Sequence, residues 1–558
     1  MPNPVAVNDL SPISGSLQTS RVSYGVETAG KNYGQNYNSS TWYSDIPNNG
    51  QFYTIISDNY TANYYVSRSN AGGAYVEGGL PAVDEYSAPV FWITQGTSSL
   101  DVITIVNGLP DRIGQVPFNS GSQALNWIAS SSNYFAVGPD YYEQIDADNL
   151  GLYIHGNQII SYPTTGSSWY DISGQNNRFN LINGPTYNSN GWINFDGTND
   201  YAVAVNTTLP SVDTSPFTLT AIARTSGGGS YQTVLGTGGL LSQIGFYTNN
   251  SFMYGRNGGG GGLLYVNGGT VTTGRFYHLT MTYNGSTATA YLNGTATQTG
   301  VNIGSNGGTN GVQVLSTYTP SAASEILTGD IAQALVYPKA LTAAEVAQNY
   351  YGGPIVTNGL VFAVDAGNLV SYPKSGTTAY SLTGSITNTL TNGVGYNNIY
   401  GGTFNFDGID DYINLGQINY TSVTVEGWVF RDDTTDLVNI VSGAGVVQYF
   451  GVYSQTLAYY ASIDTGGWTF GTTTLQPQTW YHVAITYDDS NYTVKMYLNG
   501  NLESTSTANA SYRTGYVSTL GTYNNASIRF WKGYISNLRI YGTALTQAQI
   551  QQNYNATK

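Results

Sequence analysis

From residue 151 onward the chain is written twice. Gly151-Leu152 opens one copy and Gly359-Leu360 the next, and Ser161-Tyr162-Pro163 recurs as Ser371-Tyr372-Pro373. Asn194-Phe195-Asp196-Gly197 followed by Asp200-Tyr201 recurs as Asn405-Phe406-Asp407-Gly408 followed by Asp411-Tyr412. Tyr277-His278-Leu279 and Tyr291-Leu292-Asn293-Gly294 recur as Tyr481-His482-Val483 and Tyr497-Leu498-Asn499-Gly500. Ala340-Leu341-Thr342 with Gln348-Asn349-Tyr350 recurs as Ala544-Leu545-Thr546 with Gln552-Asn553-Tyr554. A period of about two hundred residues exceeds any solenoid unit, so each copy is a whole domain.

Within a copy the pattern is β. Residues 276–283 and 480–487 alternate between two faces, and Asn-Gly or Asp-Gly pairs bound the runs, which predicts antiparallel strands joined by hairpins. Gly258 to Gly262 reads as a loop. Each copy then predicts a short closing helix. Thr342 with Glu345 forms a capping box, and Thr546 with Gln549 repeats the device. Leu341, Val346 and Tyr350 give that helix an apolar stripe to lay on the sheets. One of Trp480 and Tyr481 should be deeply buried.

Composition narrows what such domains can do. Charged residues are 9% of the 558, against about 25% in an ordinary soluble domain. No apolar run reaches the roughly 20 residues that span a bilayer. With 49 Tyr, 17 Phe and 9 Trp the chain can build cores, so the surface is polar but uncharged. The 17 basic residues form no cluster beside 32 acidic ones, which argues against nucleic acid. Absent cysteine removes disulfides and thiolate chemistry. The first residues lack a basic stretch followed by an apolar one, so the expectation is a chain without a secretory signal.

The run 359–367, Ser371-Tyr372-Pro373, Phe406 to Tyr412, Trp480 to Val483, Tyr497 to Gly500 and Ala544-Leu545-Thr546 resembles the laminin-G-like, concanavalin A-like jelly-roll family, in the version found in structural proteins of tailed bacteriophages. The resemblance covers both copies. It implies an all-β chain: an N-terminal β-rich domain at 1–145, then two antiparallel β-sandwich jelly rolls at 149–351 and 358–558, each ending in a short helix. The first copy departs from the pattern by being two residues shorter between Gly151 and Ser161, without a counterpart of Asp365. Residues 1–145 do not repeat; 51–56, 89–94 and 100–106 read as strands and 122–130 as one or two helical turns.

The site chemistry is sparse. The eight glutamates, Glu27, Glu77, Glu85, Glu143, Glu325, Glu345, Glu426 and Glu503, never fall closer than eight positions apart, so the strand-borne carboxylate dyad of jelly-roll glycanases is missing. No catalytic residue is assigned. Asp407, Asp410 and Asp411, or Asp196 and Asp200, can supply oxygens to Ca²⁺; the same residues can equally make an Asp-Gly turn whose carboxylates bind backbone amides. His278 and His482 share one strand position, and with His155 they show no acidic partner in sequence. Tyrosine suits carbohydrate stacking as well as cores, and spacing singles out no carbohydrate-binding residue.

The resemblance implies a non-enzymatic virion surface protein, a fibre, appendage or head decoration. It would display two lectin-type domains for adhesion to host-surface glycans, be made in the host cytoplasm and be carried on the particle. Residues 1–145 would contact other virion proteins or sister copies in a homo-oligomer, through Tyr60, Tyr64, Tyr65, Phe91, Trp92, Tyr134, Phe135, Tyr141 and Tyr142. A free bacterial carbohydrate-binding protein and a polysaccharide-degrading enzyme are the alternatives.

Overall fold

The computed structural model describes residues 145–558 apart from short loops, the longest at 206–214, 304–312, 461–467 and 509–514; within 1–144 it describes the backbone of six strands. The chain forms two compact units, one of 1–137, 151–192 and 202–209, the other of 138–150, 193–201 and 210–558.

In the first unit, Phe52–Ile55, Asn63–Arg68 and Tyr75–Gly79 make one three-stranded antiparallel sheet, and Pro89–Ile93, Ser99–Val106 and Leu109–Pro117 make another. The three strands expected from sequence in this region are among them. The helical turns expected at 122–130 and the aromatic side chains expected to form an assembly surface lie outside the described residues.

Residues 152–541 fold as four eight-stranded sheets, two for each copy, in keeping with the all-β jelly-roll class. In the second copy the back sheet runs Gly395–Asn397, Thr403–Asp407, Lys532–Tyr541, Val423–Arg431, Trp480–Asp488, Thr493–Leu498, Asn501–Thr507, and Leu360–Asp365 also pairs with Lys532–Tyr541. The front sheet runs Thr378–Tyr380, Thr387–Thr391, Tyr412–Tyr420, Gly515–Leu520, Val438–Ala444, Tyr449–Tyr453, Thr456–Tyr460, Trp468–Phe470. Alternation aims Val425, Val483, Ile485 and Ile540 of the back sheet at Val441, Phe450, Val452 and Leu520 of the front, all within 1% exposure. Each such side chain contributes about 1.5–3 kcal/mol.

The repeated sequence markers hold the frame. In Leu-Asn-Gly both turn residues adopt positive φ, 51° and 72° at Asn293 and Gly294, 49° and 78° at Asn499 and Gly500, which suits the twist of a two-residue hairpin. The Asn side chain accepts the amide of His278 (3.0 Å) or His482 (2.9 Å) on the neighbouring strand. The helices Ala343–Tyr351 and Gln547–Ala556 start on the expected capping boxes. In each, one asparagine bridges helix and sheet. Asn349 donates to the Tyr337 hydroxyl (3.0 Å) and accepts from the amide of Asp146 (2.7 Å); Asn553 donates to the Tyr541 hydroxyl (2.9 Å) and accepts from the amide of Val356 (2.7 Å).

Trp480 is the buried member of its pair, at 8% exposure, but it packs on the helix side with Trp428 and Phe430. Tyr481 turns to the inter-sheet core, and its hydroxyl accepts the Gln476 amide. The position of Asp365 does have a counterpart. The Asp365 amide donates to the Ser371 hydroxyl (3.0 Å) as the His155 amide does to Ser161 (2.9 Å), so His155 fills that place. The two missing residues therefore fall before it, and the two Gly-Leu pairs are not structurally equivalent.

Candidate functional site

The aspartates of the Phe-Asp-Gly element form a backbone-bound turn in both copies. Asp407 Oδ1 accepts the amides of Ile409 (2.7 Å) and Asp410 (3.4 Å), and Asp411 Oδ2 accepts the amide of Asp407 (3.0 Å). Asp196 and Asp200 make the same bonds to Thr198, Asn199 and Asp196 itself. In the second copy Asp410 joins, so that one oxygen from each of Asp407, Asp410 and Asp411 lies within 4.8 Å of the others. Asp411 Oδ1 is buried without a partner, and burial raises the carboxyl's pKa. The first copy brings together only two carboxylates.

Two of the three histidines are interior groups. His278 and His482 are at most 1% exposed, and burial pushes each imidazole down to about 3. His155 Nδ1 accepts the Asn157 amide at 3.0 Å. His482 does have an acidic neighbour, 56 residues upstream and therefore invisible to spacing: Glu426 Oε2 stands 3.8 Å from His482 Nε2, and Arg539 Nη1 3.9 Å from Glu426 Oε1. This group is sealed beneath the C-terminal helix, out of reach of a substrate.

The described glutamates occupy four separate settings. Glu345 closes its capping box and pairs with Lys339, Glu426 is buried, and Glu503 holds the Thr472 and Thr473 amides and hydroxyls at 2.8–2.9 Å. Glu325 stands at an outward face and accepts from Gln243 Nε2.

That face belongs to the front sheet. In the second copy Phe450, Val452, Leu457 and Tyr459 point into the core. Their alternates, Tyr449, Gly451, Tyr453, Ala458 and Tyr460, therefore face the outer side, where Trp468 and Phe470 of the edge strand join them and leave Tyr449 and Ala458 fully covered. Trp468 is the hub: its ring centre is 4.6 Å from Tyr449, 4.8 Å from Tyr453 and 5.1 Å from Tyr460. Phe470 is 39% exposed. The guanidinium of Arg529 lies 4.5 Å over Tyr523, 5.5 Å over Tyr449 and 5.9 Å over Trp468.

The first copy repeats the arrangement. Tyr231 packs on Tyr247 at 4.3 Å and stacks with Tyr265 at 5.8 Å, and the Tyr265 hydroxyl donates to the Tyr231 hydroxyl at 2.8 Å. Tyr231 and Tyr265 line a shallow cleft with Thr233, Gln243, Gly245, Met253, Gly255 and Glu325. Register fixes the equivalences. Leu235 pairs with Ile244 and Leu315 as Val441 pairs with Phe450 and Leu520, which sets Gly245 on Gly451, Tyr247 on Tyr453 and Tyr265 on Trp468. A Cβ on either glycine would meet a carbonyl oxygen at 2.1 Å, that of Gln232 or Val438, so the floor stays bare. Sequence spacing left these faces unassigned, although Gly-x-Tyr at 245–247 and 451–453 marked them.

A search of curated proteins found no match. Among solved structures the chain is similar to domain 4 of the extracellular arabinanase AbnA of Geobacillus stearothermophilus, in complex with arabinotriose. Identity is 20% over 35% of this chain and 98% of that one, with a TM-score of 0.29. It is also similar to the receptor-binding domain of botulinum neurotoxin C/D mosaic serotype (10%, covering 72% and 98%, 0.32) and to Trypanosoma rangeli sialidase (13%, covering 55% and 61%, 0.29). At such scores these likenesses carry no functional argument. The family model described as concanavalin A-like lectin/glucanases superfamily matches residues 196–347 and 407–551, more than half of the chain. The chain belongs to the concanavalin A-like lectin/glucanases superfamily, with one member domain in each copy of its repeat.

Proposed function

We infer that both jelly rolls are carbohydrate-binding modules and that the outer face of each front sheet is the binding surface. The observation that carries this is the repeated platform: Tyr247 and Tyr265 beside Gly245, and Tyr453 and Trp468 beside Gly451. Sugar rings present flat C–H faces, which pack on exposed aromatic rings, while hydroxyls need a few fixed polar partners. Gln243 and Glu325 supply such partners in the first copy, held in place by buried Thr233. The Thr233 hydroxyl donates to Gln243 Oε1 (2.8 Å), and Gln243 Nε2 donates to Glu325 Oε2 (3.0 Å). Affinity electrophoresis of the full chain in gels cast with polysaccharides tests the reading. Trp468→Ala and Tyr265→Ala should each weaken retardation, and the double variant should abolish it. Retardation unchanged in the double variant would sink the assignment of these faces.

The reading is of binding without hydrolysis. Glycosidases place two carboxyls about 5–9.5 Å apart across the scissile bond, and the described glutamates are engaged separately. A reducing-sugar assay on any retained polysaccharide tests this. The favoured setting is a phage particle surface, with host glycans as the target and 1–145 as the assembly region. It finds support in the low surface charge and in tandem modules, whose tethering raises effective concentration. Purified particles that fail to label with an antibody to 358–558 would remove that setting and leave a free carbohydrate-binding protein.

A further inference from the structure

The two platforms carry opposite charges at one equivalent position. The Thr233 amide donates to the Glu325 carbonyl at 2.8 Å, and the equivalent Asn439 amide donates to the Arg529 carbonyl at 3.0 Å. Both residues take a left-handed backbone, φ 54° and 60°. Each sits at the same bulge of its front sheet and sends its side chain to the aromatic floor. Glu325 reaches Gln243 and Thr233; Arg529 lies over Tyr523, Tyr449 and Trp468. Among the described residues no carboxylate pairs with Arg529 and no acceptor engages its N–H donors, while no cation pairs with Glu325.

We propose that the front face of the second copy binds an anionic saccharide through Arg529, and that Glu325 turns the first face toward uncharged sugars. This rests on the platforms being carbohydrate-binding faces. A guanidinium stacked on rings keeps its in-plane donors available as a planar fork, the geometry that matches carboxylate, sulfate or phosphate. The surrounding aromatics weaken solvent screening of that contact. The same anion set against Glu325 would meet a like charge, whereas Gln243 beside it suits sugar hydroxyls.

The test is calorimetry and affinity electrophoresis of the full chain. The probes are polygalacturonate, the same polymer with its carboxyls reduced to alcohols, polysialic acid and dextran sulfate; the panel separates carboxylate from sulfate recognition. At least one acidic polymer should bind on the order of tenfold to a hundredfold tighter than the reduced polymer, a charge-assisted hydrogen bond's worth. Arg529→Gln should erase that preference, Arg529→Lys should keep part of it, and Glu325→Gln should leave it intact. Melting curves confirm that each variant folds. An acidic preference that survives in Arg529→Gln, or no preference in the native chain while the reduced polymer still binds, overturns the proposal and spares the binding faces. Binding of any polymer unaffected by Trp468→Ala and Tyr265→Ala together overturns both.

Discussion

Beneath their helices the two jelly rolls solve one problem with different chemistry. Register equates Thr220, Thr280 and Leu335 of the first copy with Glu426, Ala484 and Arg539 of the second, around His278 and His482. In the first, the hydroxyls of Thr220 and Thr280 lie 3.1 Å apart, and Thr280 is 3.4 Å from His278 Nδ1. In the second, Glu426 takes 2.8 Å from the Asn553 amide group and faces Arg539 and His482 beyond hydrogen-bond distance. Glu426 Oε2, Arg539 Nη1 and both His482 nitrogens are buried without hydrogen-bond partners. A neutral hydroxyl pair is inexpensive to bury; a loosely paired charge cluster is not. One fold thus tolerates both because helix, asparagine bridge and inter-sheet core are common to the two.

The sharpest break of that comparison is Arg539→Leu, which copies Leu335 into a site that still holds Glu426. Leaving the carboxyl without its counter-charge should cost about 3–5 kcal/mol in chemical unfolding at alkaline pH. The loss should shrink in acid, where Glu426 is neutral. A loss under about 1 kcal/mol would mean that Arg539 contributes nothing to holding the charge. Completing the exchange as Glu426→Thr, Ala484→Thr and Arg539→Leu should restore the native melting midpoint or exceed it, since the first copy already packs those side chains.

A pH scan separates the copies next. Burial lifts Glu426 from its ordinary 4.5 to about 7. The folded state then holds its proton longer than the unfolded chain does, so this group lowers stability as pH rises from 4.5 to 7. His278 and His482 act in the other direction. With folded values near 3 against 6.5, they lower stability as pH falls through that interval. Glu426→Gln should flatten the neutral-side decline in differential scanning calorimetry and leave the acid side unchanged.

Capping gives a smaller difference. Thr546→Ala and Thr342→Ala should each cost about 1 kcal/mol by denaturant titration. The first should lose slightly more, because Glu345 also pairs with Lys339 at 2.9 Å. Calcium gives the finest distinction. Three carboxylates against two predict that added Ca²⁺ raises the second copy's melting temperature, through binding to the folded state alone. Asp410→Asn should remove the shift and Asp196→Asn should not; no shift in the native chain leaves the aspartates as turn residues only.

The strands and hairpins were legible because their signals are local. Leu-Asn-Gly states its own turn, and Thr342 with Glu345 states its own cap. The platforms were not legible, because Tyr449, Tyr460 and Trp468 meet only across the front sheet's register. Tyr231, Tyr247 and Tyr265 are separated in the same way. Arg529 and Glu325 were further hidden: each reaches its face from a loop that precedes the last strand of its copy. Glu426 and His482 looked unrelated for the same reason, since pairing of two strands, not spacing, sets them 3.8 Å apart.

The asparagine bridge has a consequence for biosynthesis. Asn349 and Asn553 lie in the last turns of their copies yet hold the chain just before each first strand, at Asp146 and Val356. On the ribosome, then, neither copy can lock its opening segment until its final helix has emerged. The first copy reaches that point some two hundred residues before the second, as domain-wise folding during synthesis requires. A chain interrupted within its last dozen or so residues would release one finished jelly roll followed by one whose lead-in segment at Val356 is untethered.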